Sequence, residues 1–250
     1  MKKMLAFDLD DTLSITKTPL DPAMVAILGD ILKHYEICVI SGASFAQMQI
    51  QVVEPLSILG PDALKNVHLM PTCGTRYYRY HDNEWKLQYA HDLSKEQKIS
   101  ITASLEAAAK ALGYWEVSPA GEIIEDRESQ ITYSALGQQA TPTDKYAWDP
   151  DNSKKFAIRD LVAKQLPGLE VRAGGTTSID VTLPGIDKAY GMKELMSHAS
   201  LMKEDILFFG DKLEEGGNDY PVKKFGIDSQ AVEGWEDTAE HLKLILKESE

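Results

Sequence analysis

The chain has 250 residues, of which 43% are hydrophobic and 26% charged, and this composition excludes disordered, collagen-like and coiled-coil proteins. Acidic residues outnumber basic ones by 39 to 26, so the formal net charge is −13. Such a charge repels nucleic-acid backbones and anionic membranes, and we expect neither as a partner. An anionic ligand would therefore need a local source of positive charge for binding, such as a metal ion or a helix N-terminus.

The cysteines and the N-terminus indicate the compartment. The chain has 2 cysteines, Cys38 and Cys73, too few for a disulfide framework or a four-thiolate zinc site. Acids follow the N-terminus too early for a secretory signal, and no apolar stretch approaches the roughly 20 residues of a membrane helix. We therefore expect a cytoplasmic protein.

The N-terminal part of the chain alternates strands and helices. The apolar run 4–7 ends abruptly in acids, as a buried parallel strand does at its solvent end. Asp21 and Pro22 begin a helix, residues 37–40 form a second strand, and another helix is expected through Val53. This alternation predicts a parallel sheet with right-handed crossovers.

The middle of the chain has a different pattern. Two aromatic-rich stretches, 75–80 and 85–89, predict a hairpin, and a helix is expected from Ser94 to Gly113. Further predicted elements are strands at 123–124, 130–136, 169–171 and 178–183 and a helix at 153–165. Strands in this order indicate an inserted α+β module.

The alternating pattern resumes after this module. We expect a helix from Asp187 to about His198, strands at 206–209 and 225–227, and a closing helix from Glu236. The sequence therefore predicts an α/β core domain of residues 1–80 and 185–250 with a Rossmann-like parallel sheet, interrupted by an α+β cap domain of residues 81–184.

Two carboxylates follow the first predicted strand. Asp8 and Asp10 lie at its carboxyl end, where ligands bind in open α/β sheets. They could converge on one hard cation that in turn holds a phosphate. One could also attack phosphorus while the other passes a proton to the departing oxygen. A solvated acidic turn is the alternative interpretation of this pair alone.

Three further segments follow along the chain in an order that favours a catalytic site over unrelated polar residues. Ser41 and the adjacent Gly42 follow the second strand, where a hydroxyl and N–H groups could cradle a phosphoryl oxygen, although Ser41 alone could be a helix cap. Lys188 opens the helix after the cap and could act as a point charge against phosphate, although alone it could be a surface lysine. Asp211 ends the strand at 206–209.

Asp211 is the candidate that completes a metal site. Together with Asp8 and the backbone carbonyl of Asp10, it could bind Mg²⁺. Asn218 and Asp219, in the glycine-rich loop that follows, could orient these ligands or their waters. A polar glycine-rich turn is the alternative, but the ordered set favours a functional site.

The four segments resemble the motifs of the haloacid dehalogenase (HAD) superfamily of phosphotransferases, with a cap of its type IIB. The resemblance implies that Asp8 becomes an aspartyl-phosphate and that Asp10 is the acid/base. It also implies that Ser41 and Lys188 bind phosphate and that Mg²⁺ is the cofactor, with Asp211 among its ligands.

Within that superfamily the chain is most similar to eukaryotic-type phosphomannomutases. The similarity rests on Gly210-Asp-Lys212 with 216–219, on Gly185-Ile-Asp-Lys188, and on cap segments at 125–127, 133–137 and 174–180. It implies that Arg127, Ser178 and Asp180 meet the sugar or its distal phosphate.

The chain departs from the mutase pattern at three positions. Gln138 and Ala120 stand where the family has arginines, and Cys73 stands where it has an asparagine. A bidentate guanidinium grips phosphate oxygens with a directionality that glutamine lacks. These losses weaken the expected hold on a second phosphate.

From the sequence we therefore expect a Mg²⁺-dependent phosphatase that acts on a small phosphorylated metabolite, with a sugar phosphate as the expected substrate. A phosphomannomutase that interconverts mannose 1-phosphate and 6-phosphate is the alternative. A protein that binds a phosphorylated ligand without chemistry is a third hypothesis. The resemblance also makes a homodimer possible.

Overall fold

The computed structural model describes residues 2–249. The strands are β1 Met4–Phe7, β2 Glu36–Ile40, β3 Val67–Met70, β4 Arg76–His81, β5 Glu84–Ala90, β6 Ile124–Asp126, β7 Gln130–Ser134, β8 Glu170–Ala173, β9 Ser178–Thr182, β10 Ile206–Gly210 and β11 Asp228–Ala231. The helices are α1 Pro22–Ile31, α2 Phe45–Met48, α3 Glu54–Leu56, α4 Pro61–Leu64, α5 Lys95–Ala111, α6 Pro142–Trp148, α7 Ser153–Gln165, α8 Lys188–Ala199, α9 Tyr220–Phe225 and α10 Trp235–Ser249. A π-helical turn, Gln49–Val53, joins α2 to α3.

The core unit comprises the residues up to Ala90 and those from Ile186 onward. Its seven-stranded sheet has the order β11-β10-β1-β2-β3-β4-β5. The strands from β11 to β3 pair in parallel, and β4 and β5 are antiparallel additions at one edge. Successive side chains of β1 alternate between two apolar clusters, one with α1 and α10 and the other with α8 and α9. The central strands are therefore buried on both faces, which explains their continuous apolar runs.

The aromatic hairpin belongs to the core sheet. β4 pairs with β3, and β5 pairs with β4, so the hairpin is a direct continuation of the parallel sheet. The second compact unit accordingly covers His91–Gly185, whereas the sequence pattern put the start of the cap at residue 81. Pairing with β3 is a long-range contact that the hairpin's own pattern does not reveal.

The cap unit is a sheet covered by helices on one face. Its antiparallel strands have the order β6-β7-β9-β8. Alternate side chains of β7 and β9, including Tyr133 and Val181, share an apolar cluster with α5 and α7. A capping box at Ser94 and Gln97 begins α5 as expected. The predicted α/β core with an inserted α+β cap is confirmed.

One predicted element is wrong. Residues 225–227 do not form a strand: Phe225 ends α9, Gly226 follows with a φ of 93°, and β11 begins at Asp228. Phe225 and Ile227 are apolar because both pack in the cluster with α8 and α9, while the edge strand itself is polar. Among the described residues, no helix is both long enough and apolar enough to cross a bilayer.

A buried histidine links three core strands. His68 on β3 is fully buried, with its Nε2 2.5 Å from a carboxylate oxygen of Glu36 and its Nδ1 2.8 Å from the hydroxyl of Tyr77. Arg79, which can only donate, lies with its Nη1 3.3 Å from Nδ1. Nδ1 is therefore the acceptor, and Nε2 carries the hydrogen that is donated to Glu36.

This pair should make the core sensitive to acid. Burial lowers the pKa of His68 from its ordinary 6.5, and the hydrogen bond from His68 lowers the pKa of Glu36 from its ordinary 4.5. Depressed pKa values in the folded state contribute stability at neutral pH that is lost as the pH falls. We expect the melting temperature to fall from pH 6.5 toward pH 4.5, and to fall more in Glu36→Gln, because the Glu36 carboxylate raises the pKa of His68 and a neutral amide would leave that pKa lower still. Equal acid sensitivity of the two proteins, measured by circular dichroism, would contradict this.

Candidate active site

Three parallel strands bring polar side chains to one edge of the core sheet. Asp8 follows β1, Ser41 follows β2, and Asp211 follows β10. Phe7 is in register with both Val39 and Phe209, and the N–H of Asp8 donates to the carbonyl of Phe209 over 3.0 Å. The carboxyl ends of these strands are therefore level, and the polar groups that follow them lie side by side.

Lys188 connects two carboxylates beneath this edge. It is the first residue of α8, which Asp187 caps by accepting a hydrogen bond from the N–H of Tyr190. The Nζ of Lys188 lies 2.6 Å from Oδ1 of Asp8 and 2.5 Å from Oδ1 of Asp219, and all three side chains are buried. A surface lysine, the alternative interpretation, is therefore wrong.

The buried charges change the proton affinities of this group. Burial raises the pKa of Asp8 to about 7, against the opposing effect of the Lys188 charge. Burial opposes the charge on Lys188 as well, but the carboxylates of Asp8 and Asp219 outweigh it and raise the pKa of Lys188 above its usual range. Lys188 is therefore an ammonium, and a second positive charge near Asp8 would favour its ionised form.

The acidic residues at this edge fit a divalent cation. Asp8, Asp211 and Asp219 each present a carboxylate oxygen within 4.8 Å of the others. Oδ1 of Asp211 is buried without a hydrogen-bond partner among the described residues, while its Oδ2 lies 2.6 Å from the Nζ of Lys212. A buried carboxylate oxygen with no donor matches the hard oxygen ligands that Mg²⁺ prefers.

The glycine-rich loop folds tightly around Asp219. The N–H of Lys212 donates to Oδ2 of Asp219 over 3.1 Å, and a Cβ at Gly210 would lie 2.5 Å from that same oxygen. A Cβ at Gly217 would lie 2.1 Å from the carbonyl oxygen of Lys212. The sequence placed Asp219 behind the metal ligands, but the structure puts its carboxylate within the acidic cluster itself. Asn218 is exposed.

Asp10 lies in the loop between β1 and α1. Its Oδ1 accepts hydrogen bonds from the N–H of Lys17 over 2.8 Å and from the side chain of Gln51 over 3.1 Å. Its side chain is not part of the acidic cluster, and a metal contact through its backbone carbonyl stays a prediction. The carboxyl group is thus available for proton transfer.

Ser41 lies in a loop whose backbone is held by the segment after β3. Its hydroxyl accepts from the N–H of Ala43 over 3.1 Å. The N–H of Cys73 donates to the carbonyl of Ser41 over 2.8 Å, and that of Thr72 donates to the carbonyl of Ala43 over 2.9 Å. Cys73, one of the departures from the mutase pattern, therefore adjoins the expected phosphate cradle.

A close backbone approach fixes α8 against this loop. A Cβ at Gly74 would lie 2.4 Å from the Cα of Gly191, and a Cβ at Gly191 would lie 2.5 Å from the carbonyl oxygen of Cys73. Only glycine permits this approach at both positions. Lys188 and the Ser41 loop are thereby held by one rigid contact.

Comparisons with known proteins identify the family of this chain. A family model described as Eukaryotic phosphomannomutase matches residues 24–248, which is most of the chain. The chain belongs to the eukaryotic phosphomannomutase family. A Caenorhabditis elegans protein named Probable phosphomannomutase is 26% identical over 99% of this chain and 96% of its own length. Human Phosphomannomutase 1 is 24% identical over 86% of this chain and 81% of its own.

Solved structures show the same fold. A haloacid dehalogenase-like hydrolase from Bacteroides thetaiotaomicron matches with a TM-score of 0.68 at 14% identity and covers 98% of this chain and 100% of that one. An IMP-bound Plasmodium falciparum IMP-nucleotidase mutant matches with a TM-score of 0.70 at 17% identity, covering 98% of this chain and 67% of that one. The HAD-like fold and the relation to phosphomannomutases that the motifs indicated are confirmed, and the protein is a phosphotransferase of this superfamily.

The cap residues that match the phosphomannomutase pattern lie on the polar face of the cap sheet. Asp180 on β9 is half-buried and accepts from the hydroxyl of Thr132 over 2.7 Å. Burial raises the pKa of Asp180, against the opposing charge of Arg127, and Arg127 pairs with Glu125 at 2.7 Å. Ser178 begins the same strand as Asp180. These residues thus share one face, and their contact with a sugar stays a prediction.

The positions that lack the family's arginines lie next to each other in the cap. The N–H of Gln139 donates to the carbonyl of Ala120 over 2.8 Å, directly after Gln138. The side-chain Nε2 of Gln138 is buried without a partner among the described residues. The Nζ of Lys145 lies 3.2 Å from the carbonyl oxygen of Gln138. The Lys145 ammonium therefore lies near the place of the missing guanidinium groups.

Proposed function

We propose that the protein transfers a phosphoryl group of a hexose phosphate through an aspartyl-phosphate at Asp8, as a phosphomannomutase. The observation that carries the proposal is the buried Lys188 shared by Asp8 and Asp219, in a chain that belongs to the phosphomannomutase family. An ammonium in this position orients Asp8 and offers positive charge to the phosphoryl oxygens.

In the first step a carboxylate oxygen of Asp8 attacks phosphorus, and the bond from phosphorus to the ester oxygen breaks. Asp10 donates a proton to the departing alkoxide. Ser41, the N–H of Gly42 and Lys188 hold the equatorial phosphoryl oxygens during this step. Asp8, Asp211 and the backbone carbonyl of Asp10 would hold Mg²⁺, which when bound would supply positive charge that favours ionised Asp8 and offsets the repulsion of the phosphate.

The second step decides between the mutase and a phosphatase. In the mutase, a second hydroxyl of the sugar attacks the aspartyl-phosphate while Asp10 takes its proton, and phosphate moves between the 1- and 6-positions. Support comes from the family match and from relatives named phosphomannomutase. Arg127, Ser178 and Asp180 are proposed to select the sugar.

Hydrolysis is the second candidate, because the cap lacks the family's arginines at the positions that would bind the second phosphate of a sugar bisphosphate. Gln138 and Ala120 replace arginines, and the nearby cation is Lys145. If the sugar is held less firmly, water activated by Asp10 takes its place and releases inorganic phosphate. The preference for a phosphatase that these departures suggest is not established by the comparisons.

The deciding experiment is phosphorus NMR on a panel of hexose phosphates with Mg²⁺, with and without a hexose bisphosphate. A mutase gives mannose 6-phosphate from mannose 1-phosphate and is stimulated by the bisphosphate. Inorganic phosphate without isomerised product supports the phosphatase. If the protein binds a phosphate ester without turning it over, both the mutase and the phosphatase are rejected, and the hypothesis of a non-catalytic binding protein is supported.

The remaining expectations also stay proposals. We propose a small phosphate ester as the partner, a cytoplasmic location, and the homodimer that the resemblance makes possible. Light scattering coupled to size exclusion tests the last point, and a molar mass of one chain would reject it.

A further inference from the structure

Gln51 is a buried polar side chain that belongs to none of the four motif segments. It lies in the π-helical turn Gln49–Val53 between α2 and α3, and it is only 1% exposed. The turn displaces the side chain from the regular α-helical positions. Such π-helical insertions are often found at functional sites.

The amide of Gln51 reaches across to the loop that carries Asp10. Its Nε2 donates to Oδ1 of Asp10 and to the carbonyl of Thr18, each over 3.1 Å. Its backbone carbonyl accepts from the N–H of Leu20 over 2.9 Å. The two segments are thus joined by one side chain and by one backbone bond, of which only the side chain touches Asp10.

The hydrogen bonds to Asp10 converge on one oxygen. Oδ1 accepts from Gln51 and from the N–H of Lys17, and neither donor gives up its proton. The proton that Asp10 exchanges with a substrate must then reside on Oδ2, because Oδ1 is surrounded by donors. The loop reaches this geometry with left-handed backbone at Asp11 and Lys17, with φ of 60° and 59°, which costs free energy in these residue types.

We propose that Gln51 is a positioning residue that holds the Asp10 carboxyl group so that Oδ2 faces the reacting oxygen. This proposal rests on the proposed function, in which Asp10 is the acid/base. A hydrogen-bond donor from outside the loop after β1 is needed because that strained loop supplies only the N–H of Lys17 to the Asp10 carboxylate. A general acid that is misplaced by about 1 Å loses on the order of a hundredfold in rate.

The test replaces the amide without changing the backbone contact. Gln51→Glu keeps the size of the side chain but presents a carboxylate in place of the donor, and Gln51→Leu removes polarity. Gln49→Leu, at an exposed position of the same turn, is the matched control. We expect kcat to fall about 10- to 100-fold in both Gln51 variants with little change in KM, and no change in the control.

A double-mutant cycle separates positioning from packing. Turnover of p-nitrophenyl phosphate with Mg²⁺ is the probe, because it includes hydrolysis of the aspartyl-phosphate but does not depend on the sugar. If Gln51 acts through Asp10, the variant Asp10→Asn with Gln51→Glu is no slower than Asp10→Asn alone. Additive losses, or an equal loss in Gln49→Leu, would overturn the proposal.

The cycle also distinguishes this proposal from the proposed function. If Asp10→Asn leaves turnover of the aryl ester unchanged, the acid/base role fails and the proposal for Gln51 fails with it. If Asp10→Asn is slow and both Gln51 variants are fast, only the role of Gln51 is rejected. Melting temperatures of all variants accompany the rates, and Gln51→Glu provides the answer if Gln51→Leu does not fold.

Discussion

Asp8→Asn is expected to abolish phosphoryl transfer while leaving the fold intact. An amide nitrogen or oxygen cannot form the covalent phosphoryl intermediate, so turnover should fall by roughly a thousandfold or more. Oδ1 of Asp8 accepts from both the N–H of Leu9, over 2.7 Å, and the Nζ of Lys188. An asparagine oxygen in that place keeps both hydrogen bonds, so the local structure survives the change.

The stability of Asp8→Asn provides an independent test of this interpretation. Because burial disfavours the charged carboxyl group and raises its pKa, a neutral amide removes an unfavourable buried charge. The metal-free melting temperature should therefore be unchanged or higher. Asp21→Asn is the control, since asparagine caps α1 as well as aspartate does. Substantial turnover by Asp8→Asn, seen by phosphorus NMR, would reject Asp8 as the nucleophile.

The main elements of this site follow from the sequence for a topological reason. Asp8, Ser41 and Asp211 each follow the last residues of a parallel strand. Parallel strands put their carboxyl ends at the same edge, so short apolar runs that end in polar residues are enough to predict that these groups meet. Lys188 was found by its position at the start of a helix, although nothing in the sequence showed that it would be buried.

Two features of the site that the sequence did not predict depend on contacts between distant segments. Gln51 meets Asp10 only because a π-helical turn and the strained loop after β1 fold against each other. Asp219 joins the acidic cluster because a tight glycine loop returns its side chain beneath Gly210. Neither feature has a periodicity that a sequence window would detect.

The pairing of the hairpin illustrates the same limit. β4 and β5 have an alternating aromatic pattern that predicts a hairpin correctly, but their place in the core sheet depends on β3. At the other edge of the sheet the type of element was predicted wrongly. Phe225 and Ile227, just before the polar strand β11, are apolar because they pack in the core, and they do not form a strand. Patterns predict an element's type better than its neighbours.

Lys188→Met is expected to destabilise the core strongly in the absence of metal. The Nζ of Lys188 is the shared partner of Asp8 and Asp219, and its loss leaves two buried carboxylates without their cation. Removing one partner of a buried ion pair costs about 3–5 kcal/mol. Lys193→Met, at an exposed position of the same helix, changes the same residue type and should have little effect on the melting temperature.

The destabilisation should depend on pH and on Mg²⁺ in defined directions. The Lys188 charge lowers the pKa of Asp8, which burial already raises to about 7, so its loss shifts that pKa further upward. A carboxyl group with a raised folded-state pKa loses stability as the pH rises through that value. Thermal unfolding with EDTA should therefore show a larger gap between Lys188→Met and the parent chain at pH 8 than at pH 6.

Mg²⁺ should restore part of the stability of Lys188→Met, because a ligand that binds only the folded state stabilises that state. In this variant the three carboxylates of Asp8, Asp211 and Asp219 lack the ammonium, so a cation between them should be more favourable. We expect the melting temperature of Lys188→Met to rise more with Mg²⁺ than that of the parent chain. If the two proteins melt alike with EDTA at pH 8, Lys188 does not carry the buried charge balance of the site. If Mg²⁺ stabilises neither protein, the three carboxylates do not form a metal site, since such a site must gain affinity when a competing positive charge is removed.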